Sequence, residues 1–199
     1  MKLYYSPASC SLAPHIVLHE LNIPFTAVKV DLKSKVSSDG DFFKINPKGY
    51  VPAITLENAE LLTEVAVILQ YLGDQKPESQ LIPKSGSLER YRAQEWLNYI
   101  ATEIHKGFGI LWNQKYSEET KTISRELLFK KFDFLNTHFE KSKFVLGEQF
   151  SVADAYLYTC LNWTKFLKID LTKWSAISDF MNRIQERPAV QNALKAEGL

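Results

Sequence analysis

Sulfur is scarce in this chain: only Cys10 and Cys160 are cysteines among 199 residues. They form no CxxC pair, which argues against dithiol redox chemistry within the chain, and neither is expected in a disulfide. The opening Met1-Lys2-Leu3-Tyr4-Tyr5-Ser6-Pro7 turns polar too early for a signal peptide's apolar core, so the expected location is cytoplasmic. No run approaches the ~20 apolar residues that span a bilayer, which sets a membrane aside as partner. Charge of one sign is also missing, with 24 Lys and Arg against 23 Asp and Glu and a formal net charge of +1. That balance gives no electrostatic reason to expect nucleic acid. There is no Walker loop, GxGxxG or GxSxG. His15, His19 and His138 lack metal-ligand spacing with Cys, Asp or Glu, so no metal is expected.

What is present is an ordinary globular composition, 45% hydrophobic and 24% charged. A folded chain of this length buries roughly 70% of its extended surface, enough for a core without disulfides or metals. The first eighty or so residues alternate strand and helix patterns. Lys2 to Tyr5 reads as a strand, and Pro14, Val17, Leu18 and Leu21 fall on one helix face. Phe25 to Val30 returns as a strand, followed by a loop with Ser34, Ser37, Ser38 and Gly40. Val51 to Leu56 and Glu60 to Leu62 read as a hairpin turning at Glu57-Asn58, and Thr63 is placed as N-cap of a helix reaching Leu72. Beyond a Pro- and Ser-rich stretch the pattern is helical only. One stripe is Leu97, Ile100, Ala101, Ile104 and Phe108; a second is Ile123, Leu127, Leu128, Leu135 and Phe139. Ser151 to Leu167 is apolar along its length and therefore central, with a capping-box spacing at Ser151 and Asp154. A last helix runs from Trp174 to Glu186, before Pro188. The reading is an α/β domain over 1–77, a linker over 78–86 and an all-helical domain over 87–199.

Four places could carry chemistry. Cys10 follows a strand and turn at the start of the first helix, where partial positive charge favours a thiolate; a small buried residue is the plainer reading. Val51-Pro52 enters a strand. A trans edge proline is the base-rate reading, and a cis-proline that turns Val51's backbone toward a peptide-like ligand is the functional one. Thr63-Glu64-Val65 opens a helix whose free N–H groups suit a carboxylate, with Glu64 suited to an ammonium; the plainer reading is that Glu64 complements the helix dipole. Asn98, Thr102 and His105 share one helix face, with Lys106 beside His105; a solvated face is the alternative. Cys160 reads as core.

Together these pieces resemble the cytosolic glutathione S-transferases, specifically the bacterial beta class. Three segments carry the resemblance: Met1 to His15 with Cys10, Asn46-Pro47-Lys48-Gly49-Tyr50-Val51-Pro52-Ala53, and Phe150-Ser151-Val152-Ala153-Asp154-Ala155-Tyr156-Leu157. The resemblance implies the glutathione transferase fold, a thioredoxin-like domain joined to a helical bundle, in a homodimer with glutathione as cosubstrate. It places Cys10 beside the glutathione sulfur, with His105 and Lys106 approaching from the helical domain. Lys35 would hold the glycine carboxylate, Val51 the cysteinyl backbone, and Glu64 with the N–H of Val65 the γ-glutamyl end, which Asn98 would reach from the partner subunit. Tyr5 and Ser11 look like the catalysts of other classes but do not dominate in this one. The family usually has Ser where Val65 stands, so one hydroxyl bond to the carboxylate is lost.

The implied activity is conjugation of the glutathione thiolate to small hydrophobic electrophiles in detoxification. Phe108, Leu111 and Trp112 would line the apolar pocket. A thiol of pKa near 8.5 becomes mostly thiolate at pH 7 if lowered by about two units, roughly 2.7 kcal/mol, which the helix N-terminus, His105 and Lys106 are expected to supply. Two rivals stand beside it: thiol–disulfide exchange or peroxide reduction through a Cys10 mixed disulfide, and a ligand carrier without activity.

Overall fold

The computed structural model describes residues 1–199. Six strands form one sheet: β1 (Lys2–Tyr5), β2 (Thr26–Asp31), β3 (Val36–Ser37), β4 (Gly40–Asp41), β5 (Ala53–Thr55) and β6 (Leu61–Thr63). Their spatial order is β4-β3-β2-β1-β5-β6. β1 runs parallel to β2 and antiparallel to β5, with Tyr4 opposite both Val28 and Ala53. The parallel pair is joined by α1 (Leu12–Glu20), since a parallel connection needs a crossover. The expected hairpin is present as β5 and β6. The loop expected over Ser34 to Gly40 instead contains β3 and β4, followed by the short helix α2 (Phe42–Ile45), capped by Asp41. Those strands are two residues long, too short to leave a periodic signal.

Successive side chains on a strand face opposite ways, and both faces here are covered. Tyr4, Val28, Val30, Phe42, Val51 and Ala53 form one apolar cluster. Leu3 and Ile54 on the other face are fully buried, as are Ile16 and Val17 of α1 and Ile68 and Leu72 of α3 (Val65–Gln75). Thr63 ends β6 instead of capping α3; Glu64 takes the cap position without a side-chain cap bond.

The second unit is helical: α4 (Leu88–Tyr99), a π-helical stretch Ile100–His105, α5 (Lys106–Trp112), α6 (Glu118–Phe139), α7 (Val152–Phe166) and α8 (Ser175–Gln185). α7 is buried from Val152 to Thr164, as its all-round apolar sequence requires. The second expected stripe is only partly right. Leu128, Leu135 and Phe139 are buried beside Phe132, but Ile123 and Leu127 are more than half exposed. The spacing defines an apolar surface and does not say what covers it.

The expected helical domain over 87–199 differs from the structure at its end. The compact units are Met1–Ile82 with Arg187–Leu199, and Pro83–Glu186. The returning segment is α9 (Pro188–Glu197), which packs on α1 and is tied there by Arg187 to Glu20 and by Glu197 to His15. Pro188, read as a stop, is also the first residue of this new helix, where a missing N–H costs nothing.

In the helical unit one buried carboxylate ties three groups. Asp154 accepts from the Ser151 N–H (2.8 Å), the Ser151 hydroxyl (2.7 Å) and the Val145 N–H (2.7 Å). This realises the expected capping box, and it also fastens the loop before α7. Asp154→Ala strands three buried donors and should lower unfolding free energy by about 2–4 kcal/mol, against about 1 kcal/mol for an ordinary exposed cap. Urea midpoints of the two proteins at neutral pH would decide it; a loss below the cap value would remove the anchoring role.

Candidate active site

In the first unit the expected site residues converge on one segment, Asn46 to Pro52. Cys10 lies one residue before the α1 N-cap, Ser11, in the turn after β1. Its thiol donates to the Val51 carbonyl oxygen at 3.2 Å. The Val51-Pro52 bond is cis. Lys35 Nζ donates to the Gly49 carbonyl at 2.8 Å and lies 5.9 Å from the centroid of the Tyr50 ring. Gly49 has φ of +68°, and a Cβ there would stand 2.6 Å from the Phe43 ring, so a larger residue would strain the backbone and displace that ring. Glu64 is engaged by Lys48 Nζ at 2.7 Å, which also donates to the Thr63 hydroxyl at 3.0 Å. Lys48 was legible only as part of the quoted segment; its partnership with Glu64 joins residues sixteen positions apart.

Three of the seven non-glycine residues with positive φ lie at or beside these places. Ala8, Lys35 and Glu64 have φ of 61°, 57° and 70°, each a conformation that non-glycine residues hold only where surroundings enforce it. Val65, the first residue of α3, has a buried side chain. No side chain caps this helix, so its first N–H groups are presented without an intrahelical partner, as an anion site requires.

Tyr5 and Ser11 lack an activated hydroxyl. Burial, then the Glu197 carboxylate, raises the Tyr5 hydroxyl above its ordinary range. Ser11 is fully buried; its hydroxyl accepts from the Ser6 N–H, bonds the Ser6 carbonyl and lies 2.7 Å from the Ser9 hydroxyl. It shapes the Cys10 turn.

In the second unit His105 closes the π-helical stretch. That wider winding departs from the shared α-helical face expected for Asn98, Thr102 and His105. Asn98 and Thr102 are exposed, whereas His105 is half-buried, with Nδ1 2.8 Å from the Tyr156 hydroxyl and its ring edge-on to Trp163. Burial, with the Lys106 charge second, lowers the imidazole to about 4. His105 is therefore neutral at pH 7, and of the expected pair only the exposed Lys106 carries positive charge. Phe108 and Leu111 correct the expected pocket. Phe108 is fully buried between Phe132 and Trp163, and Leu111 is buried. Trp112 remains half-exposed, 6.5 Å from the similarly exposed Phe166, which sequence reading did not select. No group of three His, Cys, Asp or Glu side chains could hold a metal ion, and no helix is long and apolar enough to cross a membrane.

Comparison with known proteins gives the family. Residues 8–75 match the glutathione S-transferase N-terminal domain and residues 99–188 the C-terminal domain. The chain belongs to the glutathione S-transferase family. It is 47% identical to glutathione S-transferase GstA of Escherichia coli O157:H7, over the whole of both chains. A sphingomonad glutathione S-transferase complexed with glutathione superposes with a TM-score of 0.97 at 44% identity, over 100% of both chains. The bacterial beta class glutathione S-transferase of Sphingomonas chungbukensis gives 0.97 at 42%, again over 100% of both. Within the family this transferase is of the bacterial beta class, and its fold is the thioredoxin-like domain with a helical C-terminal domain.

Two strongly shifted groups of the transferase, His105 and Asp154, oppose each other in acid. Unfolded His105 takes a proton near 6.5 and folded His105 only near 4. Its contribution to stability is full above 6.5 and is lost as pH falls toward 4. Burial pushes Asp154 up from 3.8 to about 6 despite its three donors, so its contribution instead grows as pH falls through that window. His105→Gln removes the first effect only. The variant should lose up to about 3 kcal/mol less stability than wild type between neutral pH and the lower limit of the His105 window. Equal acid slopes in urea titrations would mean that His105 takes its proton in the folded state.

Proposed function

We propose that this glutathione transferase conjugates the glutathione thiolate to small hydrophobic electrophiles, as a cytoplasmic homodimer serving detoxification. The observation that carries this reading is the convergence of Cys10, Lys35 and Glu64 on the Asn46–Pro52 segment. An extended tripeptide laid along that segment meets an ammonium for its glycine carboxylate at Lys35. It meets backbone for its central residue at Val51, and a carboxylate with an uncapped helix N-terminus for its γ-glutamyl head at Glu64 and Val65. Lys48 already neutralises Glu64, so the ligand's ammonium exchanges for it.

The other roles follow the family resemblance. Lys106 supplies positive charge to the sulfur and neutral His105 a hydrogen bond, while Asn98 reaches the γ-glutamyl end from the partner subunit. Leu88 and Tyr91, three residues apart on α4, and Ile123, Leu127 and Phe134 on α6 are exposed large apolar side chains that a subunit contact would cover. Trp112 and Phe166 offer the exposed aromatic surface for the electrophile in place of buried Phe108 and Leu111. Disulfide exchange through Cys10 is the less favoured reading: Cys160 is fully buried in α7, so a mixed disulfide of Cys10 with glutathione would need a second glutathione to resolve it.

The test is conjugation of glutathione to an aryl halide followed between about pH 5.5 and 8.5, a window bracketing an activated thiol. Saturable turnover rising with an apparent pKa well below 8.5 is expected; glutathione binding without turnover would overturn the reading. A second outcome concerns Val65. Val65→Ser restores a hydroxyl at the α3 N-terminus and should tighten glutathione by up to about 3 kcal/mol. It also removes buried apolar surface, at a cost of about 1–2 kcal/mol in stability. Titration calorimetry with unchanged affinity would place the carboxylate elsewhere.

A further inference from the structure

Helix α9 is clamped to α1 at both ends, and the two clamps hold different things. At its start the Arg187 guanidinium donates through Nε and Nη2 to the two carboxylate oxygens of Glu20, at 2.6 and 2.9 Å. Glu20 is the last residue of α1, so this clamp grips a helix end. Toward the end of α9, the Glu197 side chain is fully buried and its carboxylate is divided between two partners. Oε1 lies 2.8 Å from His15 Nδ1, and Oε2 accepts the Ala8 N–H at 3.0 Å.

Ala8 belongs to the turn that carries Cys10 two residues on. Its φ of +61° is one that alanine abandons unless held. The other arm of the clamp is itself immobilised: His15 is 1% exposed, stacked on His19 and edge-on to Phe25. A buried carboxylate that has left water for one backbone N–H and one imidazole is costly to leave half-satisfied, so both contacts are enforced together. From the last helix of the chain, a carboxylate thus reaches the backbone of the turn between β1 and α1.

We propose that Glu197 is a positioning residue for the Cys10 turn. It fixes the Ala8 backbone, and through it the placement of Cys10 Sγ 3.2 Å from the Val51 carbonyl. The consequence for turnover rests on the glutathione conjugation proposed above; the consequence for the Cys10 thiol does not.

The experiment uses the full chain with Glu197→Ala, Glu197→Gln and Arg187→Ala. Three quantities are read: Cys10 alkylation by iodoacetamide at fixed pH, located by peptide mass; KM and kcat for glutathione; and the urea midpoint. In Glu197→Ala, Cys10 leaves the Val51 carbonyl, so alkylation should quicken about tenfold while KM for glutathione rises about tenfold, the scale of one charge-assisted hydrogen bond. Glu197→Gln keeps an acceptor for Ala8 and should recover most of both. Arg187→Ala should lower the urea midpoint yet leave alkylation and KM at wild-type values. If Glu197→Ala fails to fold, Glu197→Asp, whose shorter reach cannot hold both partners, should move alkylation and KM in the same directions. Unchanged alkylation and KM in a folded Glu197 variant, or equal changes in Arg187→Ala, would reduce α9 to a brace and overturn the proposal. Wild-type protein without turnover would remove the conjugation reading, while the alkylation comparison would still test the positioning of Cys10.

Discussion

Pairing of β1 on both edges is the constraint from which the first unit follows. Its antiparallel register with β5, Tyr4 opposite Ala53, brings the end of one strand beside the beginning of the other. The turn leaving β1 carries Cys10 and the segment entering β5 carries Val51 and Pro52, so that register makes these two segments neighbours. The parallel register with β2 requires a crossover, and α1 is that crossover. Lys35 and Glu64 then arrive from opposite sides of the same segment, one after β2 and one after β6. A change that slipped β1 against β5 by one residue would turn Leu3 and Tyr4 to the wrong faces and separate the site together with the core.

The helical unit solves a different problem, that of keeping polar groups inside an apolar rod. α7 is buried along nearly its whole length, and Asp154 makes its beginning tolerable by collecting three donors. Further along, Tyr156 hydrogen-bonds His105 and Trp163 packs on the same ring. This environment holds His105 neutral. A desolvated imidazole can accept or donate one hydrogen bond but carries no charge of its own. The π-helical winding that ends at His105 is part of the same arrangement, turning the residue toward α7 while Asn98 and Thr102 stay in solvent.

Much of this was legible from local signals. Short runs bounded by turn chemistry located β1, β5 and β6; three-to-four spacing located α1, an N-cap signal at Thr63 located α3, and all-round apolar composition located α7; Ser151 and Asp154 announced their capping box. The ligand segment and Cys10 were recognisable from the motifs around them. Other features left no local trace. β3 and β4 are too short for periodicity, and the π-helical stretch differs from an α-helix by a slight change of winding. Ile123 and Leu127 have the spacing of a core and the exposure of a surface. Phe108 and Leu111 have the composition of a pocket and the burial of a core.

The amino-acid sequence by itself determined the order of the longer strands and helices as far as α8, the family, and which residue types stand ready for a tripeptide thiol. Backbone propensity and side-chain chemistry act over a few residues and can be read in place. Tertiary structure alone decided that Lys48 partners Glu64, that burial holds His105 back from taking a proton in acid, and that α9 returns to α1 with Glu197 reaching Ala8. Each of those depends on desolvation or on contact between residues distant in the chain. Both are properties of the packed interior, where the low dielectric shifts a proton and an unmade hydrogen bond becomes expensive.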